Sequence, residues 1–281
     1  MSPSETATRR DRIRQIVVVV AAVTMLIGTL AGVGLLGGTP IQSSVQGAFS
    51  SDASLLTPAG PAFSIWSVIY LGLAAFTVWH CLAPIDRRAR RIGWLAAASM
   101  VLNAAWLLVV QAGWIWLSVV VIAALAIDLG ILVQRLGGLP TSSWGIKLVL
   151  DGTFGLYLGW VSVATVANIT AALTGSAANP GGRTAEFISV AVLVVVVALA
   201  GVFANKLGAR WAVSLAMAWG LAWIAVARLT GGTPSRITAV TAAAAALIIL
   251  LVTPGRRWPT RIWSSRRPSP QDSATLAGGS R

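Results

Sequence analysis

Long uncharged apolar runs alternate along the chain with short polar or basic stretches. A helix needs roughly 20 apolar residues to cross ~30 Å of hydrocarbon. The first such run is Ile16 to Leu36, preceded by Arg9, Arg10, Arg12 and Arg14. A secretory signal shares the basic start, but its apolar region is only about 7–15 residues, so an uncleaved helix is expected. The second run covers about Ala62 to Leu82, with Pro58 and Pro61 just ahead, where a missing backbone N–H is harmless. No charge interrupts Ile92 to Ile127. That is too long for one crossing, and Gln111-Ala112-Gly113 offers a reversal between helices three and four. Further helices are expected at Trp144–Leu173, Glu186–Asn205, Trp211–Arg228 and Ile237–Thr253.

The pattern therefore predicts an all-α membrane protein with eight transmembrane helices. It divides into a basic N-terminus (1–15), a five-helix unit (16–173), a small polar linker (174–185), a three-helix extension (186–253) and a tail (254–281). The tail is rich in Arg, Pro, Ser and Gly and is expected to be disordered. Composition agrees: of 281 residues, 56% are hydrophobic and only 10% charged, against about 25% charged in a soluble domain. Soluble enzymes, disordered proteins and collagen-like chains are excluded.

The net charge of +13 then becomes a statement about orientation. With the N-terminus cytoplasmic and eight crossings, eighteen of the 21 basic residues fall inside, leaving Arg183, Arg228 and Arg236 outside. The positive-inside rule expects that bias. The sequence thus predicts a multi-pass protein of a bacterial plasma membrane with both termini cytoplasmic. The arginines of the termini are expected to meet anionic lipid headgroups. Nucleic acid is not an expected partner, because the basic residues form short flanks without a recognition module. Arg228 is expected to end the seventh helix with its stem reaching the interface. Gly28 and Gly32, four apart in the first helix, permit close helix contact, within the chain or in a homodimer.

Thirteen tryptophans sort by depth. Trp79, Trp94, Trp144, Trp211, Trp258 and Trp263 fall near the inner interface, and Trp114 and Trp116 near the outer one, as an aromatic belt does. Trp66, Trp106, Trp160, Trp219 and Trp223 lie inside helices, where an indole N–H wants a partner. For Trp219 and Trp223, one face of the seventh helix, the pattern leaves open packing onto the five-helix unit or a separate groove. Trp66 and Tyr70 share a face of the second helix, Asn103 and Trp106 one of the third, and Trp160, Ala164 and Asn168 one of the fifth. All lie in the outer half. Two readings stand: ordinary packing with hydrogen-bonded asparagines, or a cavity for a flat apolar ligand.

Intramembrane carboxylates are costly and so are default functional candidates. Asp128 and Asp151, with His80, suggest a proton or cation site. The plainer reading pairs Asp151 with Lys147, four residues earlier on the same helix. Metal chemistry is not expected, since one cysteine (Cys81) and one histidine (His80) cannot build a multi-ligand site. No nucleophile–base–acid constellation occurs, so catalysis is not expected either.

Three segments carry a family resemblance. Leu56-Thr57-Pro58-Ala59-Gly60-Pro61-Ala62-Phe63-Ser64-Ile65-Trp66-Ser67-Val68-Ile69-Tyr70 resembles the loop and second helix of the TspO/MBR family, the tryptophan-rich sensory proteins related to the mitochondrial translocator protein (peripheral benzodiazepine receptor). Leu102-Asn103-Ala104-Ala105-Trp106 is similar to its third-helix motif, and Tyr157 to Asn168 to its fifth-helix pattern. The resemblance covers about residues 13–173. It implies a five-helix bundle with a pocket beneath the first loop, and ligands such as porphyrins, other tetrapyrroles or sterols. On this chain the implied contacts are Trp66, Asn103, Trp160 and Ala164, with Tyr70, Trp106, Asn168, Phe63 and Pro58 around them. The chain departs from the family in a loop without tryptophan, in lacking a proline before Tyr157, and in its last three helices. No obligatory cofactor is implied, only a porphyrin- or haem-type ligand. The expected function is sensing, regulation or transport of a hydrophobic planar molecule. The rival is an ion-coupled secondary transporter using Asp128 and Asp151.

Overall fold

The computed structural model describes residues 7–32, 50, 52–137, 139, 143–174, 182–208 and 210–255. Eight helices among them are long and apolar enough to cross a membrane. They are α1 (Arg9–Gly32), α2 (Ile65–Leu82, entered through a 3₁₀ turn at Gly60–Ser64), α3 (Arg87–Gln111) and α4 (Ile115–Gly137). Then come α5 (Trp144–Thr174), α6 (Gly182–Lys206), α7 (Trp211–Thr230) and α8 (Arg236–Gly255). The described residues hold no strand. The expected tail beyond its first two residues, including Trp258 and Trp263, and most of the polar linker lie outside the described residues.

Local chemistry explains the boundaries. The α1 helix begins at Arg9 rather than Ile16, because Thr8 and Asp11 cap it reciprocally. Asp11 Oδ2 accepts from Thr8 N at 3.0 Å, and Thr8 Oγ1 accepts from Asp11 N at 3.2 Å. The first arginines are thus helical residues, and Arg14 is turned inward and buried. Asp86 caps α3, its carboxylate accepting from Arg88 N at 2.7 Å. The α3–α4 reversal falls where the sequence places it, with Gly113 at φ +78°, a left-handed conformation that suits glycine. Within α5, five residues (Leu148–Gly152) form a π segment between two α stretches. The α6 helix starts earlier than expected and α7 and α8 run slightly longer.

Helices α1, α3, α4, α5 and α2 form a closed ring. The extension is built outward from it: α7 packs on α5, α8 on α7, and α6 mainly on α8. Glycines make the α5–α7 seam. A Cβ on Gly155 would lie 2.7 Å from Ala212 Cβ, one on Gly159 would strike Val213 O, and one on Gly220 would lie 2.8 Å from Val163 Cγ1. The Gly28–Gly32 face of α1 is already occupied by Ala104 and Leu107 of α3, so that close contact is internal.

Two polar clusters tie helix ends together. Asp11 accepts from Arg14 at 2.9 Å and from Arg90 at 2.9 Å, while Arg14 Nε donates to His80 Nε2 at 3.3 Å. Asp151 sits between Arg210, which it pairs with directly, and Arg88 at 3.8 Å. Its expected partner Lys147 is not used, because the π segment widens the turn and removes the four-residue facing that an α-helix would give. Arg228 also departs from expectation: it is buried, donating to Thr233 O at 2.8 Å instead of reaching the interface.

Substituting Gly159→Ile forces α5 and α7 apart and is expected to cost about 1–3 kcal/mol. Gly130→Ala, which meets nothing within 4 Å, leaves the thermal midpoint in detergent unchanged or raised. Equal midpoints for the two variants would show that the seam is not close-packed.

Candidate functional site

The aromatic residues singled out by spacing do converge. Trp66 of α2 stacks on Tyr70 with centroids 5.3 Å apart and on Trp106 of α3 at 6.4 Å. It meets Tyr157 and Trp160 of α5 edge-on at 5.8 and 6.2 Å. Phe63, at the end of the 3₁₀ turn, closes edge-on against Trp160 at 5.6 Å. Pro58, Phe63, Trp66, Trp106, Trp160 and Ala164 line a common cavity, together with Val163 and Ala167. Sequence reasoning missed the last two. Ala167 lies seven residues after Trp160, two helical turns along the same face, and that periodicity was the available signal.

The cavity is about 20 Å³, enough for a single water. Ligand pockets usually span ~300–1,000 Å³, so the rings occupy the space that a planar ligand would take. The polar groups are arranged unequally around it. Tyr70 and Asn103, expected among the ligand contacts, are not part of the lining, and neither is Asn168. Its Oδ1 accepts from Trp106 Nε1 at 3.1 Å, and its Nδ2 donates to Ser118 Oγ at 2.9 Å, joining α3, α4 and α5. Asn103 is different. Its Nδ2 donates to Tyr70 OH at 3.2 Å, but its Oδ1 is buried without a partner among the described residues. Trp160 Nε1 is likewise a buried donor without a partner. One orphan acceptor and one orphan donor therefore belong to the aromatic cluster.

The extension reaches this site. Trp219 Nε1 of α7 donates to Ala62 O at 2.9 Å, and the Trp223 carbonyl accepts from Ala59 N at 3.2 Å. The two indoles themselves meet edge-on at 5.6 Å. The question left open for α7 is thus answered: its tryptophans hold the segment that roofs the aromatic cluster.

Asp128, Asp151 and His80 are not brought together. No hydrogen bond or ion pair among the described residues joins them, and no group of three or more metal-ligating side chains occurs there. Asp151 is engaged by two arginines, His80 faces Arg14, Phe76 and Trp79, and Asp128 has a buried Oδ2 without a partner.

A family model described as TSPO-like protein matches residues 15–253. The match runs through α6, α7 and α8, which the sequence reading set outside the five-helix pattern. No curated protein and no solved structure matches the chain.

The two asparagines differ in how far their polar atoms are satisfied. Asn168→Ala removes the acceptor of Trp106 Nε1 and one partner of Ser118 Oγ, which keeps its bond to Ile115 O, and is expected to cost about 1–3 kcal/mol. Asn103→Ala removes a group already half unsatisfied and costs less, so thermal midpoints fall in that order. For the carboxylates the signs oppose each other. Asp151→Asn leaves two arginines facing each other and lowers the midpoint, while Asp128→Asn removes the charge of a carboxylate whose Oδ2 is buried without a partner among the described residues, and does not lower it.

Proposed function

The chain belongs to the TSPO-like family, and on that premise we propose that it binds a hydrophobic planar ligand of the porphyrin type in the aromatic cluster between α2, α3 and α5. The observation that carries this reading is the pair of buried, unpartnered polar atoms, Asn103 Oδ1 and Trp160 Nε1. Buried polar atoms are nearly always hydrogen-bonded, and an orphan donor and acceptor beside stacked rings fit a flat ligand carrying both kinds of group. Trp66 and Tyr70 offer the stacking face, Trp106 and Ala164 the walls, and Phe63 and Pro58 the roof. Because the cavity is nearly closed, the ligand enters as the roof segment and the Phe63 and Trp66 rings withdraw.

In this reading the protein senses or transports its ligand and catalyses nothing. The end bearing Arg14, Arg88, Arg90 and Arg210 faces the cytoplasm, in keeping with the positive-inside rule. Asp151 serves packing rather than ion coupling, since its charge is matched by Arg88 and Arg210.

Titrating the detergent-solubilised protein with protoporphyrin should quench tryptophan fluorescence saturably. Trp66→Phe and Asn103→Ala should each weaken binding about three- to ten-fold, the loss expected for one stacking or hydrogen-bond contact. Quenching no greater than with an unrelated membrane protein, or unaltered by both substitutions, would sink the proposal.

A further inference from the structure

Two arginines and one carboxylate meet where α3, α5 and α7 begin, and their bonding is uneven. Arg88 is the second residue of α3, Asp151 lies in the π segment of α5, and Arg210 immediately precedes α7. Asp151 pairs with Arg210, whose Nε also donates to Leu207 O at 3.0 Å. Arg88 is less well served. Its side chain is only 7% exposed, and its Nη2 donates to Leu139 O. Its Nε and Nη1 are buried without an acceptor among the described residues. Asp151 Oδ2 stands 3.8 Å from Nη1, beyond hydrogen-bonding reach.

The neighbouring carboxylates are engaged elsewhere. Asp86 Oδ1 accepts from the backbone N–H groups of Arg88 and Ala89 at 2.7 and 3.4 Å. Asp11 accepts from Arg14 and Arg90. The cluster therefore holds two cations against one carboxylate, and buried guanidinium hydrogens without acceptors are costly. The start of α7 adds to the imbalance. Its N-cap is Arg210, which makes no side-chain cap bond, so the positive end of that helix dipole lies beside the cluster uncompensated by a cap.

The two coplanar oxygens of a carboxylate reach Arg210 but not Arg88. A phosphate carries its oxygens tetrahedrally and meets guanidinium groups on two sides at once, a pairing that arginine favours. The side chains of Arg210 and Asp151 are 13% and 18% exposed, so the cluster opens outward through them. Trp144 and Trp211, both exposed at this end, mark the level of lipid headgroups. Basic recesses between transmembrane helices at that level suit phosphate-bearing heads.

We infer that Arg88 and Arg210 form an oxyanion site for phosphate, carried on a phosphomonoester lipid head or free in solution, and that Asp151 fills this site in the empty protein. When phosphate enters, Asp151 turns to its solvent side and the phosphate oxygens accept from Arg88 and Arg210. The site is separate from the aromatic cluster and stands whether or not that cluster binds a ligand.

The test uses the full chain in phosphatidylcholine nanodiscs, titrated separately with dioctanoyl phosphatidic acid and with inorganic phosphate, and followed by binding and by thermal midpoint. Arg88→Gln should weaken binding about ten-fold, the loss expected for a hydrogen bond to a charged group. Arg87→Gln removes an equal but exposed charge from the same turn, and screening should leave its effect small. Asp151→Asn should bind about ten-fold more tightly, because the internal competitor has lost its charge. Phosphate should also restore the lowered midpoint of that variant. Because this readout is a gain of affinity, it decides the matter even if Arg88→Gln fails to fold. Saturation by the lipid alone identifies a headgroup as the source, and saturation by inorganic phosphate identifies the soluble ion; either sustains the site. Absence of saturable binding by both probes, equal losses in Arg88→Gln and Arg87→Gln, or weaker binding by Asp151→Asn would overturn it.

Discussion

The close approach of α5 and α7 is the constraint on which the rest of the architecture depends. Inside a bilayer there is no hydrophobic drive between helices, so association rests on close packing and hydrogen bonds. Gly155 and Gly159 remove the side chains that would hold α7 away from α5. Only then do the α7 backbone and indoles come within reach of segment 59–62. Only then, too, does Arg210, just before α7, meet Asp151 of α5. One helix thereby serves two partners: α5 turns Tyr157, Trp160 and Asn168 toward the ring and its glycines toward the extension.

The interior of the ring shows why satisfaction of polar groups is a better guide to role than residue type. Asn168 and Asn103 are both fully buried amides at similar depth. The first is saturated by Trp106 and Ser118 and fastens three helices. The second leaves its oxygen unmatched in a medium where that is costly. An apolar residue of similar shape at that position would stabilise the protein, so the amide is a cost to folding, one that the proposed ligand would offset.

Much of this was legible in the sequence. Apolar runs gave eight crossings, and the Gln111–Gly113 reversal fell where a charge-free stretch was too long for one. Helical spacing placed Trp66, Tyr70, Trp106 and Trp160 on converging faces, and the structure stacks them. The misses have physical causes. The start of α1 was hidden because Thr8 and Asp11 were read as part of a basic flank, although their spacing is that of a capping box. Asp151 was assigned a partner by the four-residue rule, which assumes an unbroken α-helix, and the π segment at Leu148–Gly152 voids it. The Gly155–Gly159 spacing was visible yet unread, so the docking of α7, and with it the positions of Trp219, Trp223 and Arg228, was not deducible.

Under the proposed function, the roof contacts also set a limit on ligand access. Lifting segment 59–62 breaks the bond from Trp219 Nε1 to Ala62 O and that from Ala59 N to Trp223 O. At about 0.5–1.5 kcal/mol each, the two together disfavour the lifted state by roughly 1–3 kcal/mol, or about 5- to 150-fold in population. A ligand that requires the lifted state has its apparent affinity reduced by that same factor. On that proposal the extension acts on the aromatic cluster without touching the ligand. Any change that draws α7 away from α5 weakens both contacts together and raises ligand affinity toward its intrinsic value, even as it lowers the stability of the empty protein.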